Sequence, residues 1–433
     1  MKRFTLIAFL ICFCSSFVMA QTSANDLARS GSFYSRVGVG YPVDAGNVIG
    51  TNMLGVSYTD PYVASFSNPA HWGSTVFGMA TGGISLHSFK AEDNQSSATN
   101  VLFDVKHFQI QLPVYRNKLG VSVSLTPETS TSYKDFVEST STISTDGDTL
   151  LYTSENKGEG GINRLEFGMG WKITPNISIG YAASLLFASI DNEVEIDIQG
   201  SSFLPVAFRR ETSGLGFGNR IGLHVNFPKV FNDEDGLSIG STVSLPVNLS
   251  SERIEVSEKI VDGGVQTVTI KEGQGLGDGS IRLPMELSSG IAYKVNNQFT
   301  VSTELQYEQW SDYRSDFDND SRQLVDRYKT GIGFRYNPYL SGSDAFFSQF
   351  KYKFGATYDN GHIMLNGERI ETLMFSLGLG ILAPGRNSNS SLDLGFDFGF
   401  RGTKSNNLVK ENIWGLSLSL NLAEIFFNRP KLR

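Results

Sequence analysis

Cysteine is almost missing: Cys12 and Cys14 are the only two in 433 residues, and both fall within the first twenty positions. Charged residues make up only 18% of the chain, and the net charge of −8 offers no basic face for nucleic acid. Past the N-terminus there is no apolar run near the ~20 residues that a membrane-spanning helix needs. The mean hydropathy of −0.14 is too polar for a bundle of such helices. The five histidines (His71, His87, His107, His224, His362) show no metal-ligand spacing, and no G-x-S-x-G nucleophile elbow occurs. No enzyme activity, metal or cofactor is therefore expected. What remains abundant is 45 Gly, 31 Phe and 16 Tyr, a composition that suits an all-β protein.

The first segment indicates the compartment. Lys2 and Arg3 form a positive start, Phe4 to Val18 is mostly apolar, and Val18-Met19-Ala20 precedes Gln21 as a cleavage site requires. Residues 1–20 are expected to be a signal peptide whose removal leaves a mature chain with no cysteine. Neither disulfides nor thiolate chemistry is then available to the exported protein.

Period-2 alternation runs to the end of the chain. Ile177, Ile179, Tyr181, Ala183, Leu185 and Phe187 share one face of a segment whose other face starts Ser178, Gly180, Ala182, Ser184. Leu392, Leu394, Phe396, Phe398 and Phe400 alternate with Ser391, Asp393, Gly395, Asp397 and Gly399, and Trp414, Leu416, Leu418 and Leu420 with Gly415, Ser417, Ser419 and Asn421. The apolar faces are uniformly large, while the opposite faces mix Gly, Ser and both signs of charge. Such strands suit a wall with lipid outside and a polar lumen inside. Lipid offers no hydrogen-bond partners, so the sheet must close on itself.

The expectation is a transmembrane antiparallel β-barrel of about fourteen strands over 73–433, with short turns on the periplasmic side and longer loops outside. Residues 265–293 read as one strand. Residues 89–99, 135–159, 257–280 and 359–367 read as the longer polar connections. Trp171, Trp310, Tyr313 and Trp414 read as interfacial girdle residues. Residues 21–72 break the pattern with Pro42, Pro61 and Pro69, yet Tyr34, Val37, Tyr41, Val43, Met53, Leu54, Val56 and Tyr58 are too apolar for a solvated tail. A compact plug in the barrel mouth accounts for them better than a flexible leader.

Four places give the chain a resemblance. Tyr34-Ser-Arg-Val-Gly-Val-Gly40 comes first, then Asp60-Pro61 followed by Ser67-Asn68-Pro69-Ala70. Leu283-Pro284, Gly290-Ile-Ala-Tyr293 and Glu308-Gln-Trp-Ser311 form the third, and Asn412-Ile-Trp-Gly-Leu-Ser-Leu418 the fourth. In order and spacing they resemble the FadL/TodX family of outer-membrane transporters for long-chain fatty acids and other hydrophobic compounds, above all its divergent Bacteroidetes-type members. The resemblance implies a fourteen-stranded barrel in the bacterial outer membrane, closed by an N-terminal hatch carrying Asn68, Pro69 and Ala70. It also implies passive uptake of a fatty acid-like small molecule, released sideways into outer-membrane lipid through a kinked third strand. Pro127 is the candidate for that lateral gate, since proline cannot donate to a ladder; the alternative is that it only ends the strand at the membrane surface. A monomer is the default expectation.

Five arginines are candidates to receive a substrate carboxylate, for which a planar guanidinium fork is suited: Arg164, Arg209, Arg210, Arg220 and Arg401. The competing role for Arg164, Arg220 and Arg401 is an internal ion-pair network with residues such as Glu166, Glu304, Asp393 and Asp397. Asp316, Asp318 and Asp320 have calcium-like spacing but lack the Gly and Glu of an EF-hand loop. A second reading of the whole chain is a non-transporting barrel of the same type, serving as a subunit or shuttle of a protein-secretion system.

Overall fold

The computed structural model describes residues 30–424 except 47, 59, 61–62, 143–148, 199–205, 262–263, 318–319, 342–344 and 385–388. The expected signal peptide, the start of the expected hatch and residues 425–433 lie outside the described residues.

Alternating sequences form long strands because each places its branched and aromatic residues on one side of the pleat. In chain order the wall is β1 (Gly78–Glu92), β2 (Ser97–Tyr115), β3 (Leu119–Ser130), β4 (Thr149–Lys172), β5 (Ile177–Ile198) and β6 (Val206–Pro228). Then come β7 (Gly236–Ser244 and Val247–Val261), β8 (Gly277–Leu283 and Glu286–Lys294), β9 (Phe299–Glu308) and β10 (Arg327–Tyr336). The last four are β11 (Phe350–Asp359), β12 (Thr372–Pro384), β13 (Asn389–Gly402) and β14 (Lys410–Glu424). Each strand pairs antiparallel with the next, and β14 returns to β1 from Gly78↔Glu424 to Glu92↔Lys410, closing a fourteen-stranded barrel. The breaks inside β7 and β8 fall at Pro246 and Pro284, which have no N–H for the ladder.

Polarity is reversed relative to a soluble protein. Phe217 is 77% exposed, Leu416 57% and Phe103 50%, whereas Glu166, Gln109, Lys353 and Asp393 are buried on inward faces. Water would not tolerate that exterior, and hydrocarbon would not tolerate the interior on the outside. The chain is an outer-membrane β-barrel.

Some connections differ from expectation. The outer turn between β1 and β2 is only Asp93–Ser96, because the strands keep pairing to Glu92↔Ser97. Residues 135–159 are mostly sheet: Tyr133–Thr142 pairs with the upper part of β4. Residues 265–293 are three strands, Gly264–Ile270 and the two segments of β8. Trp171 and Trp414 point outward as girdle residues do, but Trp310 and Tyr313 are buried at 4% and 0% exposure. The chain leaves the wall after Glu308 in a 3-10 turn, Trp310–Asp312, and turns both rings inward. There they join Tyr34, Tyr41, Ile363 and Ile370 in an apolar core at the end opposite Gly78 and Glu424.

Candidate functional site in the lumen and at the wall

Residues 30–77 run against inward-facing side chains of the barrel. Asn68 caps the 3-10 helix Pro69–Ser74, its Oδ1 accepting from the Ala70 N–H at 3.0 Å. Its Nδ2 donates to the carbonyls of Val56 (2.8 Å) and Leu223 (3.1 Å), so one amide ties the turn both to its own segment and to β6. Trp72 is fully buried and donates from Nε1 to the Ser65 carbonyl at 2.9 Å. The wall admits this turn only because glycines face it: a Cβ on Gly170 would lie 2.5 Å from the Gly73 nitrogen, and one on Gly222 2.8 Å from Pro69 Cδ. Asn68, Pro69 and Ala70 thus sit at one place, against β4 to β6.

Charge fixes the segment elsewhere. Asp44 meets Lys329 Nζ at 2.6 Å and Arg327 at 3.8 Å. Arg327, which is buried, also pairs with Asp359 at 2.6 Å and Glu308 at 2.9 Å. Asp60 meets Lys351 at 3.1 Å. Near the start, the Glu411 carboxylate accepts from Ser32 Oγ (2.8 Å) and the Phe33 N–H (2.7 Å), and Arg401 donates to Ser32 Oγ at 2.9 Å. Buried ion pairs contribute little net stability, but removing one partner strands a charge in a poorly solvated site. They fix position more than they stabilise.

A third contact is backbone against backbone. Gly333, Gly355, Gly378 and Gly395 stand on β10, β11, β12 and β13. A Cβ on each would fall 2.8 Å from Met53 Sδ, 2.6 Å from Thr51 Cα, 2.7 Å from Gly50 Cα and 2.7 Å from Ile49 Cγ2 respectively. Four neighbouring strands therefore close down on residues 49–53. Behind them the outer face of the barrel is concave, a depression of about 790 Å³ reaching from β9 round to β2. Its lining is apolar and includes Phe299, Phe334, Phe354, Leu379, Leu394 and Phe396. Three spaces inside the lumen are far smaller, about 60, 110 and 150 Å³, and charged side chains line each of them.

The wall has a seam. β2 and β3 pair from Tyr115↔Leu119 up to Phe108↔Leu125, and among the described residues no ladder joins them above that. The open edge of β3 is taken instead by Tyr41–Pro42, paired Tyr41↔Ser130 and Pro42↔Thr129, with the Val43 N–H donating to the Glu128 carbonyl at 2.9 Å. Pro127 stands on β3 beside this seam, where the register against β4 shifts, and it borders the cavity of about 110 Å³.

All five candidate arginines face carboxylates. Arg164 meets Glu128 at 2.6 Å, Arg220 pairs with Glu166 and donates to the Phe66 carbonyl, and Arg401 lies 3.6 Å from Glu411 and 3.8 Å over the Tyr41 ring. Arg164 and Arg220 border the same cavity as Pro127, whereas Arg401 borders the one of about 150 Å³. Arg209 (with Glu211, 2.7 Å) and Arg210 (with Glu255, 2.8 Å) stand on the outer end of β6, away from the other three. Asp316 accepts from the N–H and Oγ of Ser280; Asp318 lies outside the described residues.

Sequence reasoning missed Asp44, Arg327 and Asp359 and the glycine row, and it met Glu308 only as part of a motif, not as an ion-pair partner. The glycines were visible on polar faces, but no single strand reveals which positions on four strands will meet.

Solved structures of the same shape are known. A Pseudomonas aeruginosa FadL homologue is similar over 90% of this chain and 99% of its own, with a TM-score of 0.58 and 15% identity. The Ralstonia pickettii toluene transporter TbuX matches over 88% and 99% (TM-score 0.54, 13% identity), and the Pseudomonas putida toluene transporter TodX over 84% and 94% (0.52, 14%). At such identities the likeness establishes the barrel fold alone. No curated protein matches the chain in sequence. A family model described as BamG matches residues 1–433, and the chain belongs to the BamG family.

Proposed function

We propose that this barrel is a non-transporting subunit of a protein-secretion assembly, seating another outer-membrane protein against its concave wall. The observation that carries this reading is where the space lies. Ligand sites for small molecules run roughly 300–1,000 Å³; the three lumen cavities among the described residues hold about 60, 110 and 150 Å³, and the wall depression about 790 Å³. Residues 21–72, the part described from 30 onward, act in this reading as a hatch that stays in place, fixed by the Asp44, Asp60 and Glu411 contacts. The depression spans eight adjacent strands, which at ~4.8 Å per strand is roughly 35 Å of wall, far wider than one acyl chain. A convex barrel wall fits such a surface. No step here calls for enzyme chemistry or a cofactor.

A second reading is favoured by the seam: passive uptake of a hydrophobic compound such as a long-chain fatty acid, released sideways past Pro127 into outer-membrane lipid. Arg164 and Arg220, which border the cavity beside Pro127, are then the carboxylate receivers closest to the route, and each must first leave its own carboxylate.

One pair of measurements separates the two. Proteoliposomes carrying the chain should take up fatty acid, alkane and aromatic probes no faster than empty ones. The chain released from outer membranes by mild detergent should carry one stoichiometric protein partner. Saturable uptake by a chain isolated alone would give the second reading instead.

A further inference from the structure

Above the membrane belt, β4 to β7 continue as a sheet that carries Tyr133–Thr142 on one edge and Gly264–Ile270 on the other. The two edges are treated differently. The first bears Lys134, Asp135 and Glu138, and its approach is tied down: the Ser132 carbonyl accepts from the Gly31 N–H (3.0 Å) and Ser35 Oγ (2.7 Å). The second, Gly264-Val-Gln-Thr-Val-Thr-Ile270, has no charge, no proline and no bulge, the usual devices that blunt an edge. Among the described residues it pairs with β7 alone, from Glu255↔Ile270 to Val261↔Gly264, and residues 266–270 are exposed.

The cover stops just below it. The neighbouring edge of β8 is taken by Arg314–Ser315 (Ile281↔Ser315, Arg282↔Arg314), and the Asp316 N–H donates to the Ser280 carbonyl at 3.1 Å. An added strand along 264–270 would continue that line upward. Only an extended backbone presents donors and acceptors at the repeat this edge offers, with Val268 and Ile270 on one face and Thr267 and Thr269 on the other to meet its side chains.

We infer that Gly264–Ile270 is a strand-addition site on the outer surface for an extended segment of a different protein chain. A second copy is the poorer occupant. Two copies share the membrane normal, so their upright edges would meet parallel, the slightly weaker pairing. This surface is separate from the concave wall and stands or falls independently of it.

The test is amide hydrogen exchange over 264–270 in isolated outer membranes against the purified, detergent-solubilised chain, with a photoreactive residue at Gln266. Alternate amides should exchange at least tenfold slower in membranes, with adducts to one other protein. Thr267→Pro should abolish both while the barrel stays heat-modifiable on gels. Val268→Lys serves as the second variant should the proline disturb the hairpin. Equal exchange in both preparations, protection of every amide alike, or an adduct only to a second copy would overturn the inference.

Discussion

Gly50 and Gly378 meet backbone to backbone: a Cβ on Gly378 would lie 2.7 Å from the Gly50 Cα, and Gly50 itself holds φ of +84°. The contact joins the inside of the barrel to its outside, because β12 can approach residues 49–53 only where neither chain has a side chain. Gly378→Val should force the two apart at a cost of about 1–3 kcal/mol, the usual range for overpacking. Thermal unfolding should show that loss, and a protease should cut within 30–77 faster than in the unsubstituted chain.

Arg327 holds Asp44, Asp359 and Glu308 together. Arg327→Met should destabilise the barrel by about 3–5 kcal/mol, since it leaves carboxylates buried without their cation. Adding Glu308→Gln and Asp359→Asn to the same variant should restore much of that loss. Denaturant unfolding of the single and triple variants measures both.

The strand at Tyr41–Pro42 should be clampable. Directly opposed residues of an antiparallel pair lie within the Cα separation a disulfide accepts, so Pro42→Cys with Thr129→Cys should oxidise readily. Assembly with the partner should be the same oxidised or reduced. If hydrophobic compounds pass the seam, uptake should fall on oxidation and return on reduction.

One carboxylate outside the membrane gives a pH signature. Burial works to raise the pKa of Asp235, but the Tyr293 hydroxyl and the N–H groups of Phe231, Val230 and Asn232 outweigh it and hold the group below the usual 3.8. A depressed folded pKa means the turn's stability is fully present above the unfolded value and is lost as pH falls through the folded one. Protection of the amides of residues 230–232, measured against their intrinsic exchange rates, should therefore hold steady down to the ordinary aspartate range and fall only below it. Asp235→Asn should exchange faster near neutral pH and lose that acid dependence.

Much of this architecture was legible because it obeys one rule repeated along the chain. Lipid demands a greasy residue at every second position, and Leu392 to Phe400 or Trp414 to Leu420 record that demand directly. The breaks at Pro246 and Pro284 were not read from the sequence, in which 265–293 reads as one strand. The errors arose where a residue answers to something other than lipid. Trp310 and Tyr313 follow a strand in sequence and look like girdle residues, but a 3-10 turn folds them into the outer core. The candidate arginines showed their polar faces yet not their partners: Arg164 finds Glu128 and Arg401 finds Glu411 through ladder register, which periodicity leaves free. The concave wall was invisible for the same reason, as it depends on glycines from four strands lining up along one short stretch of the N-terminal segment.

The proposed function depends on the concave wall being occupied by protein. A photoreactive residue at Leu379, inside the depression, should be compared in native outer membranes with one at Phe217, exposed on β6 away from it. Leu379 should give a single protein adduct of discrete mass and Phe217 only lipid adducts. Lipid adducts alone from both positions would contradict the proposal.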